Sequence, residues 1–530
     1  MHLFVHSAIG RDGIPSRRQS ANYAVIRHGN KNTSIVVFLL LLVSGVLTGV
    51  SYLSMQSSLA WFCLIPLFYV LQKQDARGSC LCCTAYGIVT SAVLCYWVIP
   101  VATRYSGVLT FYSMLLYGGV VLYFSLYSAL FGVGYYVLRT RSANTILCGT
   151  SVAAFYVLLE VFRMKLLPGS PWCHYPLACS QARNSIIIQW AAIGGPSLIT
   201  FGIVFANYAA SQFLLKREVK SLTMAAVCVL VFAGGGVVLK SAGHEIIDDR
   251  LEAVLLNDNI AAEARWNDQT GDSLAALLFR LNEEAARYDP DLFVWSETAI
   301  PWKFEPDDEF VPKALSITRR SKANHLMGMW SPSVRNSQLV YNSAYLIRND
   351  GRIADRYDKT ILLDFLERPF KGGALSVLPF FNTSRYNNVI PGRSQNLIIS
   401  GKARIGMLIC NESLSEEMYV HYDKANANLL VVMSNDAWFE DTPLQMHHFY
   451  FTRIGAVMIG KDVIVNSNRG IVGVIRGNGD MESVPQSDTP RVVHCVARLS
   501  SKTTLYSTVS GFTIPLYALL AGLSIVIRRK

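Results

Sequence analysis

Charge is scarce in this 530-residue chain. Only 16% of residues are Asp, Glu, Lys or Arg, against 51% hydrophobic. A soluble domain carries about 25% charged residues. The deficit excludes an ordinary soluble enzyme and any disordered, solvating role. Acids are scarcer than bases, 37 against 48, which leaves a formal net charge of +11. That excess does not mark a nucleic-acid binder, because the basic residues stand beside apolar runs, where they orient membrane helices. Internal repeats and low-complexity tracts are absent, which excludes a solenoid. A disulfide framework is absent too. Of eleven cysteines, only Cys410 and Cys495 fall in the long hydrophilic stretch, and a bond between them would consume the one at a strand tip. Cys80-Leu-Cys82-Cys83 is answered by no second Cys or His pair, so no metal site is expected. It reads as packing or as a lipidation site.

Long apolar runs are what the chain does have. A bilayer-spanning helix needs about 20 residues. Eight candidate spans are expected, at 34–53, 58–72, 80–101, 107–138, 145–161, 186–215, 222–240 and 511–527. The run at 34–53 is followed by no small-residue cleavage site and reads as an anchor. Lys and Arg test the count, since they gather on the cytoplasmic side. With a cytoplasmic N-terminus, the basic tail 1–33, the segments 73–77, 139–141 and 216–220, and the closing Arg528-Arg529-Lys530 share one side. The stretch from about 242 to 507 then lies outside the cytoplasm. The expected organisation is a tail (1–33), a seven-helix membrane part (34–243), an exported domain (244–507) and a last helix (508–530). Gly234-Gly235-Gly236 lies inside a span and reads as close helix packing. Glu160 and Arg163, near a span end, are either a functional pair or interfacial anchors. Leu167-Pro-Gly-Ser-Pro-Trp172 cannot continue a helix and reads as an interfacial loop where a lipid is handled.

The exported stretch alternates short apolar strands with helical patterns, which predicts an α/β domain with reactive groups at strand ends. Three ends carry such groups. Glu297 closes the strand 291–295. Lys359 follows a hairpin turning at Asn349-Asp-Gly351. Cys410 closes 405–409, before a predicted helix over 413–423 whose N-terminus would favour a thiolate. A thiol nucleophile needs a base, and a carboxylate serves. The oxyanion of the intermediate needs a donor, and a lysine with a helix-end amide serves. Taken singly, Glu297 reads as a surface carboxylate and Lys359 as a solvated loop charge.

Val294-Trp-Ser-Glu-Thr298, Tyr357-Asp-Lys359 and Leu408-Ile-Cys-Asn-Glu412 together resemble the Glu–Lys–Cys triad of the nitrilase superfamily. Ser434-Asn-Asp-Ala-Trp-Phe439, Leu159-Glu-Val-Phe-Arg163, Gly169-Ser-Pro-Trp172 and Gln189-Trp-Ala-Ala-Ile-Gly-Gly195 narrow the likeness to the apolipoprotein N-acyltransferase family. The resemblance implies eight transmembrane helices with an inserted nitrilase-like αββα sandwich. It implies Glu297, Lys359 and Cys410 as catalytic residues. Glu367, Glu412, Trp266 and Trp438 are implied as supporting or substrate-binding residues, with no cofactor. The implied partners are a membrane phospholipid donor and a diacylglyceryl-cysteine apolipoprotein acceptor, at a bacterial inner membrane. Two departures stand out. Asn411 replaces the family's usual tyrosine, and Leu366-Glu-Arg-Pro-Phe370 replaces Gly-Glu-Tyr-Val-Pro while keeping the spacing of Glu367. Two other readings are an anchored amidase, for which eight spans are excessive, and a transporter, which buried mid-span charges would support and of which these spans have almost none.

Overall fold

The computed structural model describes residues 31–527, apart from 107–109, 143, 171–174, 243–248, 265, 306–307, 365 and 370–387. Most of the basic tail, Trp172, Phe370, the 243/244 boundary and the three closing basic residues therefore lie outside the described residues.

The membrane part begins with α1 (Lys31–Ser54), α2 (Ser57–Ala60) and α3 (Ile65–Leu71). It continues through α4 (Ala76–Leu94), α5 (Val98–Ser106), α6 (Thr110–Arg141), α7 (Thr145–Leu166), α8 (Ala191–Lys216) and α9 (Val219–Ala242). Among the described residues, seven helices are long and apolar enough to cross a membrane. The expected span at 58–72 is instead the short pair α2 and α3, with Pro66 in the first turn of α3. The chain nevertheless returns along this pair. Gly45 and Gly49 of α1 lie against Val89 and Val93 of α4, in step along both helices, so α1 and α4 run parallel. The residues between them must climb back the length of α1.

Helix α6 is antiparallel to α4, with Gly87 against Ser128 and Gly132 against Ser79. The last helix, α14 (Thr513–Val526), is antiparallel to α7: Ser524 Oγ meets Ser151 Oγ at 2.8 Å, while Tyr517 packs with Ala154 and Val157. One end of the bundle thus collects Lys73, Arg77, Arg139, Arg141 and Lys216. Arg139 donates to the Gln74 carbonyl (2.7 Å) and Lys216 to Thr145 (3.3 Å).

The other end carries a two-sheet sandwich. One sheet contains β1 (Arg250–Asn257), β2 (Leu292–Val294), β3 (Ile300–Lys303), β4 (Asn324–Pro332), β5 (Val340–Ile347), β6 (Ile353–Asp358) and a late strand, β13 (Arg491–Arg498). Its order is β13-β1-β2-β4-β5-β6, with β3 on β4. The second contains β7 (Ile398–Ser400), β8 (Ala403–Ile409), β9 (Leu429–Asn435), β10 (Val463–Asn468), β11 (Val472–Ile475) and β12 (Met481–Val484), ordered β12-β11-β10-β9-β8-β7. Strand periodicity decides the layers. Leu251, Ala253 and Leu255 join the core of the second sheet, whereas Val254 and Leu256 face α10 (Gly271–Ala285) and α11 (Phe310–Ile317). Helices α12 (Glu416–Lys424) and α13 (Leu444–Ile459) flank the second sheet, which completes an αββα nitrilase-like fold.

Helix α13 rests on the membrane part. Arg453 donates to the Ala182 and Arg183 carbonyls (3.1 and 3.0 Å), and His447 Nε2 lies 3.2 Å from the Leu53 carbonyl. Glu160 and Arg163 serve the same junction and are buried, so they are not interfacial anchors. Glu160 accepts from the Leu177 amide (2.7 Å) and Thr200 (3.0 Å), and Arg163 donates to the Tyr175 carbonyl (2.7 Å).

Candidate active site

Three strand ends meet at one cavity. Glu297 follows β2 in a turn pressed onto β4. A Cβ at Gly328 would lie 2.3 Å from the Ser296 carbonyl and 2.7 Å from the Thr298 nitrogen, so only glycine lets the turn approach. Lys359 follows β6, and its amide donates to the Asn342 carbonyl (2.8 Å). Cys410 follows β8 with φ +54°, a left-handed conformation costly for a side-chain-bearing residue. Such strain persists only where the surroundings over-determine it. Here β8 is held by β7 and β9, and the Ile409 amide is fixed by Glu412 (2.8 Å).

Lys359, only 1% exposed, lies between two buried carboxylates, 3.3 Å from Glu297 and 2.9 Å from Glu367. Asn342 Nδ2 donates to both carboxylates at 2.8 Å. The Asn435 amide donates to the second oxygen of Glu297 and the Leu363 amide to that of Glu367, each at 2.8 Å. Glu412 does different work. It accepts from Tyr357 Oη (2.8 Å), the Thr360 amide and hydroxyl (2.7 and 2.8 Å) and the Ile361 amide (3.0 Å). It thereby ties the Lys359 loop to the Cys410 turn without facing the cavity.

Burial works against the Lys359 ammonium, but Glu367 and Glu297 outweigh it and hold its pKa well above the ordinary lysine range. Burial raises the Glu297 carboxyl, Lys359 opposes and Glu367 adds to the rise. Burial pushes the Cys410 thiol far up, Glu297 pushes further, and Lys359 only partly compensates. The predicted helix-end thiolate is therefore not realised. Residues Cys410–Leu414 form a short 3-10 turn, and the α-helix starts only at Glu416. Cys410 rests as a thiol and needs a base at the moment of attack.

The cavity holds about 110 Å³, with Glu297, Lys359, Glu367 and Cys410 in its wall. Trp266 and Trp438 also line it, Trp266 edge-on to Trp302 at 5.2 Å. Asn411 is buried, and neither its Oδ1 nor its Nδ2 has a hydrogen-bond partner among the described residues. Cys495 lies on β13 opposite Ala253, in the other sheet from Cys410, and both thiols are free. Sequence reasoning missed Asn342 and the Asn435 amide. The visible signal for Asn342 is a polar residue within the apolar β5 strand. The Asn435 amide leaves no trace in side-chain pattern.

A profile of the apolipoprotein N-acyltransferase N-terminal domain matches residues 44–209, and one of carbon–nitrogen hydrolases matches 263–488. The chain is 27% identical over 502 residues to the apolipoprotein N-acyltransferase of Geobacter metallireducens, covering 92% of this chain and 94% of that one. It is 26% identical over 458 residues to that of Vibrio cholerae, covering 84% and 88%. A nitrilase-superfamily structure from Saccharomyces cerevisiae overlays with a TM-score of 0.38 at 13% identity, covering 51% of this chain and 96% of its own. With both profiles in order along the chain and near-full-length relatives, the chain is similar over most of its length to apolipoprotein N-acyltransferases.

Proposed function

We propose that the protein moves an acyl chain from a membrane phospholipid to the free α-amine of a diacylglyceryl-cysteine apolipoprotein, through a thioester on Cys410. The observation that carries this reading is the cavity shared by Cys410, Glu297 and Lys359 in a domain resting on the end of a membrane bundle. Glu297 takes the Sγ proton as sulfur attacks the ester carbonyl. The Lys359 ammonium stabilises the resulting oxyanion. Collapse breaks the ester C–O bond, and Glu297 returns the proton to the departing glycerol oxygen, releasing a lysophospholipid. The acceptor amine then attacks the thioester carbonyl. Glu297 takes the amine proton, the C–S bond breaks, and the proton returns to sulfur. A thioester conserves the acyl activation that hydrolysis would lose.

The site belongs on the periplasmic side of a bacterial inner membrane, with both termini cytoplasmic. The support is the clustering of Lys73, Arg77, Arg139, Arg141 and Lys216 at the bundle end remote from the sandwich. The test is mass spectrometry of the protein purified with its lipids. An acyl mass on Cys410, discharged by a diacylglyceryl-cysteine peptide, is expected. A Cys410→Ala protein that still acylates the peptide would end the proposal.

A further inference from the structure

Where the cavity meets the membrane bundle, its rim carries four charged side chains from four separate stretches of the chain. Arg104, in the last turn of α5, places Nε 3.1 Å from Glu263 and donates from Nη1 to the Glu440 carbonyl at 3.1 Å. Its Nη2 lies 4.0 Å from the Glu440 carboxylate, which also pairs with Arg469. Arg469 is fixed from below by the Asn259 carbonyl at 3.3 Å. The neighbours of these charges, Ala262, Ala264, Phe439 and Asn468, line the same cavity as Cys410. Two guanidinium groups thus stand at the membrane-side mouth of the site, held by the loops that form its walls.

We infer that Arg104 and Arg469 form the subsite for the phosphodiester of the acyl donor, and that Glu263 occupies it in the empty protein. The inference rests on the proposed acyl transfer and deepens it. In a glycerophospholipid the phosphate is a few bonds from the ester carbonyl, so with that carbonyl at Cys410 the phosphate must sit at the rim. Guanidinium forks match phosphate oxygens two at a time. The exchange is easy, because Glu263 is 58% exposed and its pair with Arg104 is 28% exposed on the arginine side. An ion pair so open to water contributes little. Displacing Glu263 also frees the wall segment containing Ala262 and Ala264 from α5, so donor binding widens the mouth it enters.

The test is single-turnover acylation of Cys410 in the full-length protein. The two donors are a phosphatidylethanolamine and a diacylglycerol with the same chains, in mixed detergent micelles. In Arg104→Gln and in Arg469→Gln, the kcat/KM ratio of phospholipid over diacylglycerol should fall about ten-fold or more, the loss typical of one charge-assisted hydrogen bond. Arg104→Lys, which keeps the charge, should recover part of the ratio. Glu263→Gln should lower the phospholipid KM by removing the competitor. Inorganic phosphate should not inhibit, and competitive inhibition by it would assign the rim to a free anion instead. An unchanged donor ratio in both arginine variants, with wild-type Cys410 acylated normally, would overturn the subsite alone. No acylation of wild-type Cys410 by either donor would overturn the proposed function and the subsite with it.

Discussion

At the residue scale, the central fact is one ammonium between two carboxylates, all three withdrawn from water. Burial, and behind it the surplus negative charge, keeps the Cys410 thiol protonated, so the proposed cycle calls on Glu297 as base in each of its two steps. Glu297→Gln keeps the shape and the Asn342 contact but cannot take a proton. Thioester formation should slow by roughly 10²–10⁴-fold, the range for loss of a general base. Lys359→Arg keeps the charge, yet a planar fork cannot occupy the compact gap between Glu297 and Glu367. It should be nearly as slow, read by the gel shift of unacylated thiol with a bulky reagent. Wild-type thioester formation in that variant would reassign Lys359 to binding. The pH dependence follows from the sign of the Glu297 shift. Burial raises its pKa, and the base works only when ionised, so the single-turnover rate should fall on acidification at a pH above the ordinary glutamate range. An acid limb at or below that range would exclude Glu297 as the base. Cys495 carries none of this chemistry. Burial lifts its thiol to about 12, and Cys495→Ala should leave thioester formation within a few-fold. A loss matching Cys410→Ala would point to a shared disulfide.

At the element scale, the site depends on two strand ends from different sheets staying in register. Glu412 is the residue that joins them, since one carboxylate satisfies donors from Tyr357, Thr360, Ile361 and Ile409. Glu412→Gln places an amide group against donors that need an acceptor. Leaving one buried donor unsatisfied costs about 1–3 kcal/mol. The variant should melt earlier in detergent and acylate more slowly, with no change in its acid limb. An unaltered melting temperature would show that the two strand ends hold each other without it. The span at 58–72 belongs to this scale as well. Its length forbids one crossing helix, yet the parallel course of α1 and α4 requires the chain to return there.

At the scale of the whole molecule, the sandwich and the basic cluster occupy opposite ends of one bundle. A reporter fused after Lys240 that is active only outside the cytoplasm should be active. Activity of a cytoplasm-only reporter at that junction would invert the topology and remove the site from the periplasmic side. The contacts of α13 with the membrane part, through Arg453 and His447, hold the sandwich against the helical bundle rather than on a free tether.

Much of this was determined by the sequence alone. Apolar runs, alternating basic ends and strand-then-helix periodicity are local signals, and they specified a membrane bundle with an α/β insertion. Glu297, Lys359 and Cys410 were legible because each closes a strand within a short motif. What lay between them was not legible. Asn342 bridges two carboxylates from positions 45 and 25 residues away, and the Asn435 amide reaches Glu297 across 138 residues. Backbone donors and cross-sheet partners leave no periodicity. The protonation of Cys410 was likewise decided by tertiary structure, because burial and the Glu297–Glu367 field outweigh any preference of its own turn. The rim of Arg104, Glu263, Glu440 and Arg469 exists only because folding brings four separate stretches to one mouth.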